Sequence, residues 1–152
     1  MKVELKQLRP NAKAPVYSSE DAAGADLFAA NESVIYLHPG QTVLIPTGFA
    51  MRMAGTRETS QRHAAFLLPR SGLGHKHGIV LGNLIGTIDE DYTGEVMVSA
   101  WNRNQEGSAF GIFPGDRIAQ MIIQQVERAT FAFTEVIQDT ERGAGGFGST
   151  GI

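Results

Sequence analysis

Three acidic side chains stand in a row at Asp89, Glu90 and Asp91. Before them lies a mostly apolar run, Leu81 to Ile88, broken by Gly82, Asn83 and Gly86. After them come Tyr92, the turn pair Thr93-Gly94 and the alternating segment Glu95 to Asn102. β-Branched and aromatic runs around a glycine-containing turn predict two strands that fold back on each other. The glycines inside the first strand mark places where another backbone or a ligand comes close. A carboxylate at the end of such a strand is held by a rigid sheet, which is what a general base requires. The same three acids also read as a turn that water alone solvates.

Other residues could join them. Pro69-Arg70-Ser71-Gly72-Leu73-Gly74 combines a guanidinium, a hydroxyl and glycine amides, the parts of a phosphate cradle. His75 and His77 have the spacing of a metal pair on one side of a strand, but no third ligand accompanies them, so they read as exposed loop histidines. Asp26 enters a strand after Gly24, whose freedom of backbone conformation suits a turn there. An Asp at a strand start is also a common turn residue that bonds its own backbone. The tail, Arg142 to Ile152, sets one Arg, one aromatic ring and two hydroxyls among glycines. It is no P-loop, because no Lys and no helix follow its glycines. Its composition suits either a disordered terminus or an arm that closes over a phosphorylated ring compound.

The elements that must hold these residues are strands. The chain has 152 residues, enough for one domain with a core. Eighteen glycines against 13 Lys plus Arg imply many turns. About ten to a dozen short strands with regular turn signals predict an all-β fold, a jelly roll or β-barrel. Among them are Thr42–Ile45 and Phe49–Met53, separated by Pro46-Thr47-Gly48, and a last strand over Phe131–Ile137. Residues 54–63 are polar and read as a loop or a short helical turn, with no role. In the strand from Arg117 to Gln125, strict alternation would send Arg117 and Gln120 to opposite faces. A pleat irregularity near Gly115, or contacts made on different layers, is needed if both serve one site. A net charge of −3 and a pI near 5.8 favour no bulk binding to nucleic acid. With no cysteine, disulfides and zinc–thiolate sites are excluded. No apolar run is long enough to span a membrane, and the first ten residues lack the apolar centre of a signal peptide, so a cytoplasmic location is expected.

Five segments stand in one order: AGADL (23–27), PRSGLG (69–74), GNLIGTIDEDYTGE (82–95), PGDRIAQM (114–121) and RGAGGFGSTG (142–151). Their sequence, order and spacing resemble those of the trimeric dUTPase family, the dUTP pyrophosphatases. The resemblance implies a jelly-roll (β-clip) domain over 1–137 and a mobile glycine-rich arm over 138–152. It implies a homotrimer with shared active sites, binding neither nucleic acid nor membrane. The implied reaction is magnesium-assisted hydrolysis of dUTP to dUMP and pyrophosphate, which keeps uracil out of DNA and supplies dUMP for dTMP synthesis. In that reading Asp89 readies the water that attacks the α-phosphorus. Asn83, Thr87, Ile88 and Met97 wall the uracil pocket, and Tyr92 packs on the deoxyribose. Arg70, Ser71 and Gly72 bind phosphate, with Ser71 donating to the leaving pyrophosphate. Asp26 and Gln120 reach Mg2+ through water. Arg142, Phe147, Gly148 and Ser149 belong to the closing arm. Arg117 stays open between a structural ion pair and a substrate contact. Ala25 departs from the aromatic residue many relatives carry. A dCTP deaminase of the same fold, or a noncatalytic trimeric binding module, are the rival readings; the Asp89–Tyr92 segment and the Phe-containing arm argue against the first, and the presence of Asp89 and Tyr92 against the second.

Overall fold

Short β-branched runs cut by Pro and Gly cannot build long helices, so the backbone satisfies its hydrogen bonds between strands instead. A computed structural model of the protein describes residues 1–53 and 62–146. Among these, eleven strands and one helix follow in order. They are β1 (Glu4–Gln7), β2 (Val16–Tyr17), β3 (Ala25–Phe28), β4 (Ile35–Leu37), β5 (Thr42–Arg52) and β6 (Arg62–Leu68). After them come α1 (Ser71–His77), β7 (Ile79–Leu81), β8 (Gly86–Ile88), β9 (Glu95–Asn102), β10 (Phe110–Ile112) and β11 (Arg117–Val126).

One sheet has the order β1-β5-β9-β7, and the other β2-β3-β11-β6-β8. A small pair, β10-β4, completes the set, and every pairing is antiparallel. Strand alternation gives each large sheet one apolar face. Those faces meet in a single cluster. Leu27, Ala65, Leu67, Ala119 and Met121 come from one sheet; Ile45, Phe49, Met51, Val96, Val98 and Leu81 from the other; Leu37 and Ile112 from the small pair. β9 shows the rule clearly: Val96, Val98, Ala100 and Asn102 are buried, while the residues between them are half-buried. This is the jelly roll that the turn spacing predicts.

Four expectations are corrected. First, the expected break at Pro46-Thr47-Gly48 is absent, because β5 runs on as one strand whose register shifts between Pro46 and Ala50. The irregularity is stitched from within: buried Thr47 donates its hydroxyl to the Val96 carbonyl at 2.6 Å, and Gly48 takes a φ of 78° closed to most side chains.

Second, the glycine-rich segment after Arg70 is a helix, α1, and not an open loop. It stops at Gly78, a left-handed C-cap with φ 69°. His75 and His77 therefore lie in its last turn, where His77 stacks on Phe110 at 5.2 Å.

Third, the run before Asp89 does not form one strand that folds back on Glu95–Asn102. β7 pairs with β9, but β8 leaves for the other sheet and pairs with β6. A tight turn makes the crossing. Leu84 sits at φ 62°, an unusual backbone state for a branched side chain, and Ile85 N–H donates to the Asn83 carbonyl at 2.7 Å. Of the polar stretch 54–63, Arg62 and His63 belong to β6, and 54–61 lie outside the described residues.

Fourth, Phe131–Ile137 forms no strand. Its side chains stand in solvent: Phe131, Phe133, Val136 and Ile137 are each more than three-quarters exposed. The alternation is that of a strand, but a strand needs a neighbour's edge, and the described chain lends it none.

Candidate active site

The pairing of three strands builds the first half of the site. β11 lies between β3 and β6, with Gln120 opposite both Asp26 and Leu68. Arg70 follows two residues beyond Leu68, at the same end of the sheet. Asp26 is buried, with 8% of its surface exposed, so its charge needs partners. Two guanidinium groups supply them. Arg70 donates from Nε to Asp26 Oδ1 at 2.9 Å, and Arg117 from Nη1 to Oδ2 at 3.2 Å. The register shift between Arg117 and Ala119 is what allows this. It reverses the alternation over Ile118, so that Arg117 and Gln120 both reach Asp26's side. The irregularity, one of the two arrangements that the sequence allows, lies one turn of the pleat beyond Gly115, at Ile118.

Gln120 donates from Nε2 to the Pro69 carbonyl at 3.2 Å, which leaves its oxygen as the free end. That oxygen rests on Gly24: a Cβ built there would stand 3.0 Å from Gln120 Oε1. Gly24 is not among the positive-φ glycines, so its use is space and not a special backbone state. Ser71 and Gly72 open α1 and are exposed. Their amides belong to the first turn, where N–H groups have no acceptor within the helix.

The second half begins where β8 ends. Leu67 pairs with Gly86, Phe66 with Thr87 and Ala65 with Ile88. Ile88 packs on the core, while Thr87 and Asp89 are exposed. Asn83 lies beside Gly86, its Nδ2 3.4 Å from where a Cβ on Gly86 would stand. The Tyr92 amide donates to the Asp89 carbonyl at 3.1 Å, closing a turn, and Tyr92 Oη donates to the Glu95 carbonyl at 3.0 Å. Met97 is half-buried on the outer side of β9, opposite Pro46. The glycines that promised close approach deliver it to side chains: a Cβ on Gly82 would strike Thr42 and Ser99.

Two residues that the sequence did not single out fix the exit of this turn. Arg9 grips Glu95 with Nε at 2.8 Å and Nη2 at 3.3 Å, and the Gly48 amide donates to the same carboxylate at 3.0 Å. The Arg9 hydrogen bond chiefly, with help from the Gly48 amide, holds the Glu95 carboxyl below its usual pKa. Glu95 sits one residue past the Gly94 turn, and that position was its only sequence signal.

The chain brings Asp26, Arg70, Ser71, Gln120 and Arg117 to the Leu68 end of β6, while β8 runs antiparallel beside it, so that Asn83 lies toward that same end and Thr87, Ile88, Asp89 and Tyr92 lead away from it. Asp89 follows Ile88, which faces Ala65, and Arg70 lies five residues past Ala65. At about 3.3 Å per residue Asp89 and Arg70 stand about 15 Å or more apart along the sheet. Arg142 is exposed and donates to the Gly145 carbonyl at 3.0 Å. Phe147, Gly148 and Ser149 lie outside the described residues. Among the described residues, no group of three or more His, Cys, Asp or Glu could hold a metal by itself.

The dUTPase family profile matches residues 10–151. The chain belongs to the dUTPase family. Close relatives agree. The deoxyuridine 5'-triphosphate nucleotidohydrolase of Hahella chejuensis is 52% identical over 99% of this chain and 95% of that one. The enzyme of the same name from Paraburkholderia phymatum is 48% identical over 99% of both chains. Solved dUTPases share the fold at lower identity. The dUTPase of Staphylococcus bacteriophage 80alpha, solved with dUpNHpp, superposes at a TM-score of 0.83 with 24% identity over 99% of both chains. That of phage phi11 of S. aureus, described with a structural Mg(II) ion, superposes at 0.79 with 20% identity, covering 91% of this chain and all of that one. As a dUTPase this chain has all of its assigned site residues inside the matched span.

Proposed function

We propose that the protein is a dUTP diphosphatase that cuts dUTP to dUMP and pyrophosphate, with Asp89 as the base that readies water for the α-phosphorus. The observation that carries this reading is the family match across residues 10–151, which spans every motif residue. The geometry supports the roles. Asp89 is exposed and has no ion pair among the described residues, so its oxygens are free to accept a proton. Tyr92, anchored by its hydroxyl, offers a fixed face to a deoxyribose. Asn83, Thr87, Ile88 and Met97 wall the base. Arg70, Ser71 and Gly72 take the phosphates, and Ser71 stabilises charge on the leaving oxygen.

The donor set fits a metal that arrives with its substrate. Both oxygens of Asp26 are engaged by arginines, and Gln120 offers one neutral oxygen. Such a pair suits outer contacts to a hydrated Mg2+, which takes most of its ligands from phosphate and water. Asp26 and Gln120 would hold the waters of such an ion, which would supply charge neutralisation on the triphosphate.

The separation of Asp89 from Arg70 on one chain favours a site shared between copies. Asp89 of one subunit would then meet the Asp26–Arg70–Gln120 group of a neighbour, in a homotrimer. The arm over 138–152 would close over the nucleotide, with Arg142 and Ser149 on phosphate, Phe147 on uracil and Gly148 giving an amide. Among the described residues no helix is long and apolar enough to cross a membrane.

Pyrophosphate release measured with each deoxynucleoside triphosphate, with and without magnesium, tests the reading. Only dUTP should turn over, and chelation should stop it. Asp89→Asn should abolish hydrolysis while dUpNHpp still binds. Turnover of that variant at the normal rate removes Asp89 from its role.

A further inference from the structure

We propose that Glu90 is a positioning residue for the turn that carries Asp89, anchoring it to the start of β6; the inference rests on the reading of Asp89 as base. Of the three consecutive acids, Asp89 and Asp91 are exposed, but Glu90 turns inward, and 19% of its side chain is exposed. Its Oε2 lies 3.8 Å from Arg62 Nε. Its Oε1 is buried and has no hydrogen-bond partner. A carboxylate oxygen gives up hydration only where its surroundings hold it. What draws the carboxylate inward is the first residue of β6, through the other oxygen, Oε2. The β6–β8 register sets Ala65 opposite Ile88. Carried two residues beyond β8, the same register sets Glu90 level with His63, whose Nδ1 is likewise buried without a partner. The Arg62–Glu90 approach agrees with that placement.

The turn needs such an anchor. Its own bonds, Tyr92 N–H to the Asp89 carbonyl and Tyr92 Oη to the Glu95 carbonyl, close it on itself. At its exit, Glu95 is tied to Arg9 and Gly48. At its entry Glu90 supplies the one charged side-chain contact to the sheet among the described residues. Repulsion from Asp89 and Asp91 on either side favours turning the middle acid away, toward the Arg62 cation. The height of Asp89 above the sheet is thereby fixed, and a reacting carboxylate is sensitive to small displacements.

The test uses the full chain with Glu90→Gln, Arg62→Gln and the double variant. Three quantities are read: kcat and KM for dUTP, Kd for dUpNHpp, and hydrogen exchange at the Tyr92 amide. Each single variant should lower kcat about tenfold, keep Kd within about threefold and speed that exchange. The double variant should be no worse than the worse single, because both remove one tie. Unchanged exchange at Tyr92, or single effects that multiply in the double variant, would overturn the proposal. Exchange is read without turnover, so the two readings fail separately. An active Asp89→Asn defeats the base and leaves the anchor standing; normal exchange in both single variants defeats the anchor and leaves the base.

Discussion

Asp26 and Asp89 are the same residue type with opposite surroundings. Asp26 is buried and gripped by two arginines, so its charge is spent on structure and on fixing Arg70 and Arg117. Asp89 is exposed and unpaired among the described residues, which leaves it free to take a proton. The sequence named both carboxylates but could not rank their freedom, since that depends on arginines 44 and 91 residues away. Arg117 is settled only in its ion pair with Asp26. Gly24 belongs at this scale too. Its lack of a Cβ leaves room for Gln120 Oε1 at 3.0 Å. Gly24→Ala should fold, because the obstructing atom ends a flexible side chain, but it should push that oxygen away. We expect kcat/KM to fall about tenfold, roughly 1.4 kcal/mol, with a higher magnesium requirement. A magnesium titration matching the unchanged protein would show that Gln120 Oε1 is not used.

Elements explain what the sequence could and could not supply. Strands with clear alternation, such as β9 and β11, were legible because each needs only its own pattern. The β11 bulge was legible as one of two arrangements, since two residues of one motif pointed apart. The path of Leu81 to Ile88 was not, because the switch between sheets is decided by which edge, β9 or β6, is open to receive it. α1 was missed because Gly72 and Gly74 argue against a helix by propensity, while packing beside β7 and the Gly78 cap win. The tie between Arg9, Glu95 and Gly48 joins β1's exit, β5 and β9 across 86 residues and was beyond any local reading. It carries a pH signature. The Arg9 hydrogen bond holds the folded Glu95 carboxyl below the usual glutamate range, so its contribution is in full force above the unfolded pKa and is lost as pH falls through the lowered value. Glu95→Gln should therefore melt a few degrees below the unchanged protein at pH 7, and the gap should close in acid. A gap that stays constant from pH 7 to about pH 3 would assign the loss to shape and not charge.

At the scale of the whole molecule, two features ask for other copies of the chain. Phe131, Phe133, Val136 and Ile137 carry strand alternation without a sheet and lie exposed. By strand register Asp89 and Arg70 lie about 15 Å or more apart along β6. Both point to assembly, and the second can be tested by complementation. Asp89→Asn and Arg70→Ala should each be inactive alone, for different reasons. Unfolded together in equal amounts and refolded, they would form mixed trimers under the proposed assembly. If each site takes its Asp89 from one subunit and its Arg70 from the next, about a quarter of sites receive both native residues by chance. Activity should then recover to about a quarter of that of the unchanged protein refolded in the same way. If each subunit carried a whole site, every site in the mixture would lack one of the two residues. No activity would return, whatever the oligomer.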